Sequence, residues 1–328
     1  MQNLFGVKIE LMWIYVFRNK FIRLLIAGAL LWFVIKSVDG AQLSNSLSSL
    51  TLPGIALLIA ISLVLLLVSA IKWRFFISAC GQAPSLVSLM QFYLIGYLVN
   101  LWVPSFVSTD VVRGWYLGKR TSAKSAAAST LLDRYTSILA VAFFGLAAMP
   151  LAQGVTPQMK WGFAILCLGL AILSLLFAIS PLLVSWMGKH PSSLAQRVAP
   201  FLEKCAVARS YALEHPGLML KTLLAACCVE VLMVLNVYAC AWAIGCDTLN
   251  LWALAVAVPL ILALSSIPLT PAGLGIQENV FLYFLQSLGA NSGQALSVAL
   301  LMRAKLVFLA FGGWVAWTQV KVLPDEGK

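Results

Sequence analysis

Six stretches of this chain, at about 24–38, 53–79, 130–151, 161–183, 219–245 and 296–319, are apolar enough to read as full membrane spans. A bilayer core takes about 20 apolar residues of helix per crossing, so several such runs commit a chain to the membrane. Composition agrees: 62% of the 328 residues are hydrophobic and 10% are charged, against roughly 45–50% and about 25% in soluble domains. A soluble fold would lack the polar surface to cover itself. Backbone groups in lipid must be satisfied within the segment. The expected fold class is therefore an all-α polytopic membrane protein, one integral membrane domain over 1–328.

Lys plus Arg number 22 against 11 Asp plus Glu, a net charge of +11. On a soluble protein that excess would suggest nucleic acid, but no basic stripe interleaved with aromatics occurs, and no nucleic-acid partner is expected. The basic residues gather in alternate connections. Lys8, Arg18, Lys20 and Arg23 lie in 1–23, Arg113, Lys119, Arg120 and Lys124 in 113–129, and Lys189, Arg197, Lys204 and Arg209 in the long loop 184–218. The connections 39–52 and 246–250 carry none, and 152–160 carries only Lys160. The positive-inside rule puts the first set, and both termini, on the cytoplasmic side of a bacterial cytoplasmic (inner) membrane. Leu11 to Phe17, with Trp13 and Tyr15, reads either as an interfacial helix on that face or as a frayed start. No cleavable signal peptide is expected, because charges break up the first 23 residues.

Two further apolar stretches, 84–112 and 251–289, are interrupted by Pro, Gly and polar residues. Lys72 and Arg74 end the second span on the cytoplasmic side, and Arg113 to Lys124 are cytoplasmic too. The first stretch must then enter and leave on one face. By the same logic 251–289 begins and ends on the outer face. Each reads as a re-entrant or broken-helix hairpin, the two opposed in an inverted-repeat-like arrangement; the plain alternative is four short helices joined by turns. Broken segments at corresponding places in two halves point to a transporter's central site.

The first segment runs from Asn100 through Pro104 to Ser108, Thr109, Asp110 and Arg113. Pro104 removes a backbone donor and breaks the helix. Asp110 and Arg113 stand three apart and share a helix face. They form either a grip on a zwitterionic or phosphate-bearing headgroup or a salt bridge closing a helix end. Asp133 and Arg134 open the next span; charges at membrane depth are costly and so mark function, unless these two snorkel to the interface. The second segment holds Pro268, Pro271, Gly273 and Gly275 ahead of Glu278. Two prolines and two glycines force a non-helical turn. Arg303 and Lys305 in the last span are the expected partners of Glu278. A helix resuming near Gly275 would aim its amides at an anion such as a lipid phosphate. Glu230, well inside a span, is either a site residue or the partner of a basic group on a neighbouring helix.

Other chemistries find no support. Of seven cysteines none forms a CxxC pair, and the two histidines, His190 and His215, stand apart, so neither a metal site nor a cofactor is expected. There is no Walker loop, GxSxG or HExxH, and no soluble module for a nucleotide. No catalytic residues are assigned, and the expectation is a protein that is not an enzyme.

At the two broken segments the chain resembles the lysylphosphatidylglycerol synthase transmembrane-region family, a flippase-like domain also found alone. One block is Asn100, Pro104, Asp110 and Arg113, followed by Asp133 and Arg134; the other is Pro268-Leu-Thr-Pro271-Ala-Gly273-Leu-Gly275-Ile-Gln-Glu278, followed by Arg303. The likeness covers about 20–320. Relatives more often show Gly-Gly-Asp where Ser108-Thr109-Asp110 stands, and often Glu at Asp133. The resemblance implies translocation of a polar lipid or lipid-linked glycan, with a phospholipid, aminoacyl-lipid, hopanoid or glycolipid headgroup as partner. The synthase module that some relatives carry at the C-terminus is expected to be missing here. Two rival functions stay open: an integral-membrane transferase acting on a lipid or polyprenyl phosphate, and a scaffold without a site.

Overall fold

The computed structural model describes residues 20–79, 84–101, 108–120, 123–189, 193–267, 269–270 and 273–320. Among these, every regular element is a helix. In chain order they are α1 (Lys20–Ser37), α2 (Gly40–Ser48), α3 (Leu52–Ala79), α4 (Leu86–Asn100), α5 (Ser108–Arg120), α6 (Ala123–Ala148) and α7 (Pro157–Ala178). After them come α8 (Ser180–Lys189), α9 (Ser193–Glu214), α10 (Pro216–Ala243), α11 (Leu251–Ser265), α12 (Ile276–Ser287) and α13 (Ser292–Gln319). Pro104, Pro268, Pro271 and the expected interfacial segment Leu11 to Phe17 lie outside the described residues.

Among the described residues, five helices are long and apolar enough to cross a bilayer: Leu52–Ser78, Ser129–Ala148, Pro157–Ala178, Pro216–Ala243 and Ser292–Gln319. The chain is a polytopic α-helical membrane protein, as its hydropathy requires. The sixth expected span, 24–38, falls on α1.

Helix starts follow local capping chemistry. Thr156 accepts from the Met159 amide at 3.3 Å ahead of Pro157, fixing the start of α7. Asn250 accepts from Trp252 and Ala253 at 2.8 and 3.2 Å to open α11. Asn291 and Gln294 form a reciprocal capping box at α13, at 2.8 and 3.1 Å.

The helix α11 is the centre of the larger core. Ala253 through Ile261 are all buried on it, packed by α10, α12, α6 and α7. A second core joins Trp73 of α3, Phe92 and Ile95 of α4, Leu117 of α5 and Ala316 of α13. Here small residues let backbones meet. A Cβ added at Gly313 of α13 would collide with the carbonyl of Leu94 on α4, and one at Gly96 of α4 would lie 2.6 Å from the Thr109 Cγ2 of α5. Helix α7, by contrast, exposes Trp161, Ile165, Leu168 and Ile172, an apolar surface suited to lipid.

The stretch 184–218, expected as a loop, is largely helical, spanning the end of α8 and all of α9. Its physical reason is legible in retrospect. Leu202, Cys205 and Ala208 recur every three residues and are buried, giving α9 a face that packs on α6, α7, α8 and α10.

Candidate functional site

Helix α5 begins at Ser108, with Asp110 in its first turn. Arg113 follows one turn on, and its Nη2 lies 2.7 Å from Asp110 Oδ1 and 2.6 Å from Asp133 Oδ2. Asp133, on α6, takes a second cation through its other oxygen, Lys72 Nζ of α3 at 2.9 Å. Lys72 also donates to Ser137 Oγ at 2.5 Å and to the Asp133 carbonyl at 3.2 Å. Arg134 pairs with Asp110 Oδ2. Three helices thus bring three cations against two carboxylates, leaving one positive charge in excess. Arg113 and Asp133 are 2% and 3% exposed, whereas the Arg134 side chain is 31% exposed. The expected Asp110–Arg113 pair forms, and it belongs to a wider network rather than simply closing a helix end.

Aromatic rings complete the lining. The Arg113 guanidinium lies 4.9 Å from the Trp73 ring centroid and 4.7 Å from that of Tyr93, within cation–π range. Arg113 also donates to the Tyr93 hydroxyl, which in turn donates to the Ser69 carbonyl at 3.3 Å. Among the described residues, the Arg113 Nε is buried with no hydrogen-bond partner. On the same helix, Val111, Val112, Trp115 and Tyr116 line an apolar groove of about 740 Å³, closed by Ile95 of α4 and by Trp314 and Trp317 of α13. A buried charged cluster and an apolar groove therefore share α5. Asn100 is the last residue of α4.

The second cluster sits at the other interrupted segment. Gly273 and Gly275 take φ values of +65° and +79°, left-handed backbone that glycine adopts without strain. A Cβ at Gly275 would also meet Leu30 Cβ of α1 at 2.5 Å. Helix α12 begins one residue later. Glu278 reaches back to accept from the Gly275 amide at 2.8 Å while its other oxygen accepts from Arg303 Nε of α13 at 2.6 Å. Arg303 Nη2 also donates to the Gly273 carbonyl and to Gln277 Oε1, both at 3.4 Å. Asn279 ties the turn to α1 through the Leu30 carbonyl at 3.2 Å. The amide expected to face a lipid phosphate is thus met by the chain's own Glu278.

Of the two cations expected at Glu278, only Arg303 is there. Lys305 is buried elsewhere, donating to Asn236 Oδ1 at 2.6 Å and lying 2.9 Å from Cys240 Sγ on α10. Glu230 is buried on α10 and joins neither cluster. Sequence reasoning missed Lys72, Trp73, Tyr93 and Ser137 as members of the first cluster. Lys72 had served only to orient a span, although a lysine within an apolar run was itself the signal.

Long apolar helices joined by buried ion pairs define a class: a multi-pass α-helical membrane protein with charged clusters among its helices. Residues 20–312 match the family described as Lysylphosphatidylglycerol synthase TM region, and the chain belongs to that family. No curated protein matches it. Membership links this membrane protein to lipid handling.

Proposed function

We propose that the protein translocates a polar lipid or lipid-linked glycan between the leaflets of a bacterial cytoplasmic membrane, with both termini in the cytoplasm. The observation that carries this reading is the placement on α5 of a buried charged cluster, Asp110–Arg113–Asp133, beside an apolar groove large enough for part of an acyl or polyprenyl chain. A lipid has those two chemistries joined end to end. Asp110, Arg113, Asp133 and Arg134 would hold the headgroup on one side, and Glu278 with Arg303 on the other. Asn100, Glu230 and Lys305 are further polar groups along the path. The excess positive charge suits a phosphate, and the two carboxylates suit an ammonium. Moving the headgroup between such groups avoids stripping its charges bare in hydrocarbon. The stretches 84–112 and 251–289 would be the opposed hairpins, rocking to open the cluster to each side in turn.

The test is a leaflet-accessibility assay in proteoliposomes carrying headgroup-labelled phosphatidylglycerol and its lysyl ester. Wild type should move one of these, and Asp110→Asn and Glu278→Gln, reconstituted equally, should not. Accumulation of a chemically new lipid would transfer the reading to a membrane transferase. Movement by both variants at the wild-type rate would remove the two clusters from the path.

A further inference from the structure

Helix α1 is fastened through its C-terminal end. It runs through Val38 and Asp39, a non-helical link, into α2, and α2 is pinned to α13. A Cβ at Gly293 of α13 would lie 2.5 Å from the carbonyl carbon of Gln42 on α2, and Ser292 Oγ donates to Gln42 Oε1 at 3.2 Å. Val34, close to the link, is buried in the larger core. Along the rest of its length α1 packs chiefly on α12. It does so through the face of Ala27, Leu30, Leu31 and Val34, which recur every three to four residues. Leu25, Trp32, Phe33 and Ile35 on the opposite face are exposed, as suits a helix bordering lipid.

What α1 covers is the turn of the second cluster. A Cβ at Gly275 would meet the Leu30 Cβ at 2.5 Å, the Leu31 nitrogen at 3.2 Å and the Ala27 carbonyl oxygen at 3.3 Å. The Gly275 amide is the one that Glu278 accepts from, and Glu278, itself buried, holds Arg303. Among the described residues, one hydrogen bond ties α1 to the rest of the molecule, from Asn279 Nδ2 to the Leu30 carbonyl at 3.2 Å. Its release strands neither group. Asn279 Nδ2 keeps the Gly275 carbonyl at 2.6 Å, and a carbonyl within a helix keeps its own ladder partner. Nor does the bilayer oppose parting, because lipid chains are as apolar as the leucines they would replace.

We propose that α1 is a strap over the Glu278–Arg303 cluster, swinging about Val38 and Asp39 to open that cluster sideways to the lipid. Asn279 lets go of Leu30, the backbone of α1 leaves Gly275, and α2 stays on α13. Through this opening a lipid phosphate reaches Arg303 while its chains remain in the bilayer. It displaces the long contacts of Arg303 Nη2 to the Gly273 carbonyl and Gln277 Oε1, both at 3.4 Å. The admission of a lipid rests on the translocation reading; the swing does not.

The test is electron–electron double resonance in nanodiscs, with nitroxides clicked onto azido amino acids so that the native cysteines stay in place. One label replaces Leu25 of α1 and the other Val307 of α13, both exposed. Leu25 lies about 20 Å along the helix from Val38, so a tilt of about 20° carries it about 7 Å. Wild type should give two Leu25–Val307 distances, and Asn279→Ala should enrich the longer. A control pair, Leu47 of α2 with Val307, should give one distance that the substitution leaves unchanged. A single Leu25–Val307 distance, the same in both proteins, would overturn the swing. Equal movement of the Leu47 pair would overturn the hinge. Should Asn279→Ala fail to reconstitute, Asn279→Leu, which keeps the volume and removes the donor, takes its place with the same expectation.

Admission is read in the leaflet assay. Leu30→Cys with Asn279→Cys, bridged by a short bis-methanethiosulfonate, should stop lipid movement until the bridge is reduced, and the same reagent should leave wild type unaffected. Full movement with the bridge formed would overturn lateral admission and leave translocation standing. A swing observed in a protein that moves no lipid would count against translocation and leave the strap standing.

Discussion

Replacing Asp133 with Asn probes the cluster where its geometry makes the clearest demand. The carboxylate holds Arg113 at 2.6 Å and Lys72 at 2.9 Å, and both cations are nearly fully buried. The substitution keeps the shape and removes one negative charge, so the local excess rises from one positive charge to two. Breaking a buried ion pair costs about 3–5 kcal/mol, because a charge is left uncompensated. The lower end applies here. Asn keeps an acceptor oxygen, and Lys72 retains Ser137 Oγ and the residue-133 carbonyl. A loss of about 3 kcal/mol is therefore expected. Combining Asp133→Asn with Lys72→Met returns the excess to one. The double-mutant cycle should then show a coupling of at least about 1.5 kcal/mol, above the ~0.6 average of hydrogen-bonded pairs inside membranes. Denaturant titration in bicelles, followed by tryptophan fluorescence, measures both quantities. A loss below about 1 kcal/mol, or singles that simply add, would refute the ion-pair account.

Other substitutions test separate parts of the structure. Gly313→Ala places a methyl against the Leu94 carbonyl and should cost about 1–3 kcal/mol by forcing α4 from α13; unchanged thermal stability in detergent would contradict that packing. Glu278→Gln leaves Arg303 without its carboxylate and weakens the start of α12. It should lower stability by about 3 kcal/mol, and Arg303→Gln added to it should recover part of the loss. Arg113→Lys keeps the charge, but a single ammonium cannot reach Asp110, Asp133 and Tyr93 together. It should behave as a loss in the leaflet assay, and full activity would mean that only the charge matters there.

How far the sequence announced this arrangement depends on range. Asp110 and Arg113 stand one helical turn apart, so their pairing is local and legible. The glycines at 273 and 275 announce left-handed turns in the same way. Glu278 and Arg303 are legible because few opposite charges occur within the apolar segments. Lys305 is a different matter. Two residues from Arg303, it points to another face of the same helix, so both could not serve Glu278; that geometry was available in the spacing. The Lys72–Asp133 pair spans 61 positions, and nothing local in either helix selects the other. Arg134 turning to Asp110 while its neighbour Asp133 turns to Arg113 likewise depends on how α5 and α6 cross. The helix in 193–214 was missed for another reason: its charges mask a three-residue repeat of small and apolar groups.

The central claim is that a lipid lies with its headgroup at the α5 charged cluster and a chain in the adjoining groove. Native mass spectrometry of the purified protein, with identification of the lipid it releases, tests this most directly. Wild type should retain a charged lipid that Asp110→Asn holds less well, and that Val111→Trp, which fills the groove, does not hold. Equal retention of the same lipid by all three would contradict the claim.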